Sequence, residues 1–198
     1  MRLRVGGRPS GRRLPSISSE PCGRQQTPPR AAMKASMGRL WVLERVQLVP
    51  RPREEVFSFF SDAHNLEAIT PRFLRFRIVT RGPIALAAGT LIDYRLSLFG
   101  VPFSWRTRIE ECVPGERFVD VQLSGPYRRW RHLHAFEDAP GGTVVEDRVE
   151  YELPLGPLGT LAHALFVRRA LARIFGHRAQ RISALLAPGA ATPGAAAP

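Results

Sequence analysis

Cysteine is almost missing from this chain. The two present, Cys22 and Cys112, form no C-x-x-C and no framework, so a disulfide scaffold is excluded and a reducing compartment is the default. Lysine is scarcer still: Lys34 is the only one among 29 basic residues, an arginine bias that fits a GC-rich bacterial genome. No apolar run approaches the ~20 residues that a membrane-spanning helix requires. The N-terminus also lacks the continuous apolar core of a secretory signal. G-x-S-x-G, the P-loop and a G-x-G-x-x-G between strand and helix are all absent, which removes the common hydrolase and nucleotide-binding classes. There is no H-x-x-x-H either, and no cysteine cluster to start a metal site.

What is present fits one domain with tails. The 198 residues are 44% hydrophobic and carry a net charge of +12, enough apolar material for a sizeable core. The charge is unevenly spread. Residues 1–38 hold eight cations and one acid, leaving +5 for residues 39–198. That opening stretch is rich in Pro, Gly, Ser and Arg and reads as a disordered extension, with an over-long start assignment as one explanation. A mitochondrial transit peptide is the competing reading, weakened by prolines and glycines that break any amphipathic helix. Residues 188–198 read as a second disordered tail. The folded domain is expected over 39–187, in the cytoplasm.

Along that domain "RLWVLERVQLV" (39–49) alternates as a first strand. Pro50 and Pro52 prepare a helix in which Val56, Phe59 and Phe60 form an apolar stripe, and a second short helix is expected from about His64 to Ile69. Six strands then follow, from "FLRFRIVT" (73–80) to "GTVVEDRVEYELP" (142–154), divided by Gly/Pro turns that imply antiparallel neighbours. A long helix closes the domain, from about Leu158 to Ala187. Its expected inward stripe is Leu161, Leu165, Ala172, Phe175, Ala179, Ile182 and Leu186.

This order resembles the helix-grip fold of the START, Bet v 1 and polyketide cyclase-like (SRPBCC) superfamily, a similarity covering about residues 39–187. The stretches "REEVFSFFSDAHNLEAITP", "GTLIDYRL", "FVDVQLSGPYRRWRHLHAFE" and "GGTVVEDRVEYELPLGPLG" look like bacterial members of the polyketide cyclase/dehydrase or coenzyme Q-binding type. The resemblance implies an α+β fold: a curved antiparallel sheet of about seven strands wrapped around a long C-terminal helix, with two short helices after the first strand. It also implies a cavity between sheet and helix for a hydrophobic molecule. Fold alone does not fix an activity.

Candidate chemistry centres on "RRWRHLHAFED". Side chains on a strand repeat by two, so Trp130, His132, His134 and Phe136 share one face. On the next strand Val145, Asp147, Val149, Tyr151 and Leu153 share a face, which puts Asp147 among apolar neighbours. Asp120 and Gln122 are expected to face the histidines, and Tyr94 and Trp105 to join the same wall. A buried carboxylate needs a donor. The network can therefore fix strand register, orient a ligand, or move protons through His132 or His134 with Asp147. An H-x-H pair with Asp147 can also hold zinc, but nothing else in the sequence reinforces that, and no metal and no cofactor are expected.

Two function classes follow. In the first, a non-catalytic carrier binds a lipid-, quinone- or polyketide-like molecule in a cavity lined by Phe59, Phe60, Tyr94, Trp105, Trp130, Phe136, Val149, Tyr151, Leu165 and Phe175, with Asp120, Gln122, His132, His134 and Asp147 as polar contacts. In the second, a cyclase/dehydrase-type enzyme uses the histidines and Asp147 as acid–base groups. Despite a pI near 11.4, the arginines are scattered without a recognition module, so no specific nucleic acid is expected. Weak contact with an anionic membrane is a further reading, through exposed arginines of the long helix and the apolar "LPLGPLGTLAHALF" (153–166). Packing of that stretch on the sheet is the plainer one.

Overall fold

The alternation of the first segment becomes strand β1, Leu40–Val49, and the proline pair turns the chain into helix α1, Arg53–Ser61, with Glu54 and Glu55 in its first turn. Those acids suit the positive end of the helix dipole. Asn65, which opens α2 (Asn65–Ile69), donates its side-chain amide to the Phe59 carbonyl at 2.9 Å and ties the two helices together. The computed structural model describes residues 38–98 and 100–188. The tails expected over 1–38 and 188–198 therefore lie, but for their innermost residues, outside the described residues, as does Phe99.

The strand expected over 73–80 is a correction. Pro71 starts a single 3-10 turn, Arg72–Leu74, which ends at Arg75 in the left-handed region (φ 45°), and only Arg77–Ile78 pairs as β2. The Ile78 amide goes instead to the Glu67 side chain at 2.8 Å. The remaining strands are β3 Leu91–Leu98, β4 Val101–Val113, β5 Arg117–Ser124, β6 Arg129–Ala139 and β7 Gly142–Glu152. They form one seven-stranded sheet in the order β1-β7-β6-β5-β4-β3-β2, with every recorded pair antiparallel. The helix-grip architecture is present. Its register sets Asp120 opposite His132 and His134 opposite Asp147.

The C-terminal helix lies against the inner face of the sheet, but it is not regular. It consists of α3 (Pro157–Ala162), a π turn (His163–Val167) and α4 (Arg168–Leu185). Phe175, Ile182 and Leu186 of the expected stripe are buried, whereas Leu161, Leu165 and Ala172 face solvent. The π turn accounts for the two leucines, because an i→i+5 turn carries an extra residue and shifts their phase relative to α4, whereas at Ala172, inside α4, the neighbouring Leu171 takes the inward place. The face toward the sheet at that end is Gly159, His163, Val167 and Leu171, four apart throughout. A Cβ at Gly159 would strike the Pro154 carbonyl, so the helix start can approach β7's exit only as glycine.

Core packing divides the inner face. Phe118, Phe136 and Val145 pack beneath α1 and the end of α4, while Trp130, Val149 and Tyr151 pack beneath Leu171 and Phe175. At the start of β7, Gly142 has φ 148°, and a Cβ there would run into the Val49 carbonyl. Substituting Gly142 by alanine is expected to cost about 2 kcal/mol, because the β1–β7 edge must open to admit the methyl group. An unchanged urea midpoint for G142A would show that this edge yields freely.

Candidate functional site

A cavity of about 210 Å³ lies between the sheet and α4. Ile92, Tyr94 and Trp105 form its outer sheet wall, Leu171 and Phe175 its helix wall, and Phe59 and Phe60 of α1 border it. Most of the lining is apolar. Trp105 satisfies its indole by donating to Thr107 Oγ1 at 2.9 Å. The ionisable groups of the lining include one corner where Asp120, His132 and His134 meet the cavity.

That corner is a four-membered network. His132 Nε2 is 3.0 Å from Asp147 Oδ1, and His134 Nε2 is 3.1 Å from Asp120 Oδ2. The remaining nitrogens face the opposite carboxylates, His132 Nδ1 at 3.6 Å from Asp120 and His134 Nδ1 at 2.9 Å from Asp147. The last of these is a close charge contact outside hydrogen-bond geometry, so His134 Nδ1 has no hydrogen-bond partner despite its proximity. Both imidazoles are only 3% exposed, and their rings lie 3.7 Å apart, with His134 also stacked on Phe118 at 4.2 Å.

The two histidines are pushed in opposite directions. Burial lowers the pKa of His132 to about 4, aided by the positive charge of His134 and opposed by the Asp147 hydrogen bond. Burial also works against charging His134, yet the carboxylates of Asp120 and then Asp147 outweigh it and the pKa rises. For Asp147 and Asp120, burial acts upward but the histidine contacts win, and both are lowered, Asp147 strongly. Between about pH 4 and 6.5 the favoured state is therefore one imidazolium, one neutral imidazole and two carboxylates.

Of the residues singled out from the sequence, Phe59, Phe60, Tyr94, Trp105, Asp120, Trp130, His132, His134 and Phe175 border the cavity. Six others do not. Asp147 stands behind the histidines, and Phe136 packs edge-on to Phe57 and Phe60 in the core. Val149 is sealed beneath the Trp130 cluster. Tyr151 hydrogen-bonds His163 Nε2 at 2.8 Å on the far side of the sheet–helix seam. Gln122 is used to hold the β5–β6 turn, donating to the Tyr127 carbonyl at 2.7 Å. Leu165 points to solvent because of the π turn.

Sequence reasoning missed Arg178 and Tyr127, both of which line the cavity. Arg178 Nε is buried without a hydrogen-bond partner, and Arg178 forms no ion pair among the described residues. Its charge is nevertheless felt by Asp120 and Tyr94. The signal was available: Leu171, Phe175, Arg178 and Ile182 follow helical spacing, so an arginine occupies a core-facing position. The donor atoms of Asp120, His132 and His134 lie within 4.8 Å of one another. These three would hold a divalent ion, with Asp147 supporting both rings from behind. Ion entry would compete with protonation of His134, whose charged form the carboxylates favour.

The family profile described as "Polyketide cyclase / dehydrase and lipid transport" matches residues 49–178. No curated protein sequence matches the chain. Among solved structures, a Chromobacterium violaceum protein is similar at TM-score 0.59 and 14% identity, covering 74% of this chain and 97% of that one. The di-domain ARO/CYC StfQ from the steffimycin biosynthetic pathway is similar at TM-score 0.57 and 18% identity, over 74% of this chain and 50% of its own. A major latex-like protein of Panax ginseng is similar at 0.56 and 13%, over 75% and 99%. At these identities the likeness is one of fold. The chain spans half the length of the di-domain protein.

Proposed function

Because the chain belongs to the polyketide cyclase/dehydrase and lipid transport family, we propose that it binds a hydrophobic small molecule bearing an acceptor oxygen in the cavity between sheet and long helix. A polyketide- or quinone-like molecule has that chemistry. The observation that carries the reading is Arg178, a donor-only side chain set in an apolar wall with its Nε buried and unpartnered. The guanidinium lies 5.7 Å from the Phe175 ring and within the field of Asp120, but its Nε donor stays without a hydrogen bond until a ligand oxygen arrives. Transport or storage needs nothing more than this.

Native mass spectrometry of the gently purified chain, followed by extraction, is the direct test. A clean apo mass together with no uptake of 1,4-naphthoquinone would sink the binding reading. Arg178→Met is expected to weaken 1,4-naphthoquinone by about 10-fold or more, the worth of a charged hydrogen bond. Naphthalene, with the same ring area and no oxygen, should lose little. Equal losses for both would mean that Arg178 only shapes the wall.

A second reading has its own support: Asp120, His132 and His134 reach the cavity surface instead of being sealed within the sheet. In a cyclase/dehydrase-type reaction His134 would donate its proton to a ligand carbonyl oxygen while the neutral His132 takes the proton released from the adjoining carbon, leaving an enol. Asp120, 3.1 Å from His134 Nε2, would steady the ring between its two protonation states. Lipid-like cargo without a carbonyl fits only the carrier reading.

A further inference from the structure

The first half of the C-terminal helix turns leucines outward. Leu155, Leu158, Leu161 and Leu165 are 75%, 66%, 56% and 58% exposed, in a stretch whose composition suits a buried helix. Two local features cause this. Leu155 and Gly156 both adopt left-handed conformations (φ 68° and 51°) as the chain leaves β7, which aims the new helix. The π turn His163–Val167 then sets its phase relative to α4. Spacings of three and four keep Leu158, Leu161 and Leu165 on one face, about 10 Å long at 1.5 Å per residue.

The charge on the helix itself has one sign, although Glu44 of β1 shares a groove with Arg168. Arg168 and Arg169 follow the leucine face directly and are exposed, and Arg169 Nη1 reaches the Leu165 carbonyl at 3.5 Å. From Pro154 to Pro188 the sequence contains no aspartate or glutamate. An apolar stripe that runs into guanidiniums, with no acid near in sequence, has the chemistry of an anionic lipid interface. The leucines enter the acyl boundary while the arginines stay with phosphate.

We propose that the face from Leu155 to Arg169 docks on an anionic lipid bilayer. A second copy of the chain fits less well. A two-fold contact through this helix would set its arginines against themselves with no helix acid to answer them. The rest of the chain points the same way: the net charge is +12, of which residues 1–38 supply +7. Docking also serves the cavity, since Leu171, which lines it, follows Leu165 by six residues, about 9 Å along the helix. No helix among the described residues is long and apolar enough to cross a membrane, so contact through this helix is peripheral.

The test is flotation of the full chain with phosphatidylglycerol/phosphatidylcholine vesicles, beside phosphatidylcholine alone. Binding to the anionic vesicles is expected, at least 10-fold weaker to the neutral ones and weakened by 0.5 M NaCl. L161E/L165E should cut anionic binding at least 10-fold while leaving the thermal midpoint and naphthoquinone uptake unchanged, because both leucines lie outside core and cavity. R168E/R169E should cut it similarly. Wild-type binding by L161E/L165E would overturn the proposal and leave general basicity as the cause. A stable dimer by light scattering, dissolved by L161E/L165E without any vesicle binding, would overturn it in favour of a protein interface. Neither outcome touches the cavity reading, which naphthoquinone uptake measures separately.

Discussion

Replacing Asp147 by alanine is expected to remove about 3–5 kcal/mol from the folding free energy, the usual cost of breaking a buried charge pair from one side. Asp147 is buried and lies 3.0 Å from His132 Nε2 and 2.9 Å from His134 Nδ1. Its loss leaves His132 without its hydrogen-bond partner and strips His134 of one of the two carboxylates that favour its charged form. Neither ring can turn to water, since both are packed against aromatics. Asp93 provides the contrast. It makes a 2.7 Å pair with Arg106 on the exposed side, where water screens the charges and the pair adds little. Urea unfolding of D147A and D93A at pH 7 measures both. A loss under about 1 kcal/mol for D147A would mean that the quartet is not the electrostatic keystone described.

The parts of this molecule that could be read from sequence share a physical cause. Period-two alternation in "GTVVEDRVEYELP" leaves Asp147 no other face, and the H-x-H spacing forces both imidazoles onto the same side. The quartet therefore follows once two strands are neighbours. Coverage of that shared face does not follow. Phe136 and His134 are two apart on one face, yet α1 roofs the first while the second meets the cavity. Tertiary placement of α1 decides between core and lining. The outward leucines were illegible for another reason: apolar spacing carries no mark of an i→i+5 turn, so Leu161 and Leu165 fell into a stripe that holds only from Phe175 onward. Arg178 was legible and missed, because its charge outweighed its position. The two-residue β2 shows a local signal prevailing over composition, with Pro71 and the left-handed Arg75 breaking a segment rich in strand formers.

Stability should peak near pH 6.5 and fall on both sides, for opposite reasons at the two histidines. His132 has a folded pKa depressed to about 4 by burial and by its charged neighbour. Between pH 6.5 and 4 the unfolded chain takes up a proton that the fold refuses, so stability drops as the pH falls. A folded value near 4 against an ordinary 6.5 amounts to roughly 3 kcal/mol across that window. His134 runs the other way. Its pKa is raised once the Asp120 and Asp147 carboxylates overcome the cost of burial, so its contribution is complete below about pH 6.5 and is lost as the pH climbs through the folded value. Asp147 and Asp120, both lowered, add a further loss only below about pH 3.8. Urea unfolding from pH 4 to 8 on chelator-treated protein reads both limbs, and His132→Phe should flatten the acid one. A profile flat from pH 4 to 7 would contradict the unequal pair. Histidine side-chain NMR at pH 6 should find one of the pair neutral and the other charged. The same spectra separate the two functional readings, because an acid–base His134 must change its titration when 1,4-naphthoquinone binds. A His134 that only braces the sheet should titrate identically with and without it.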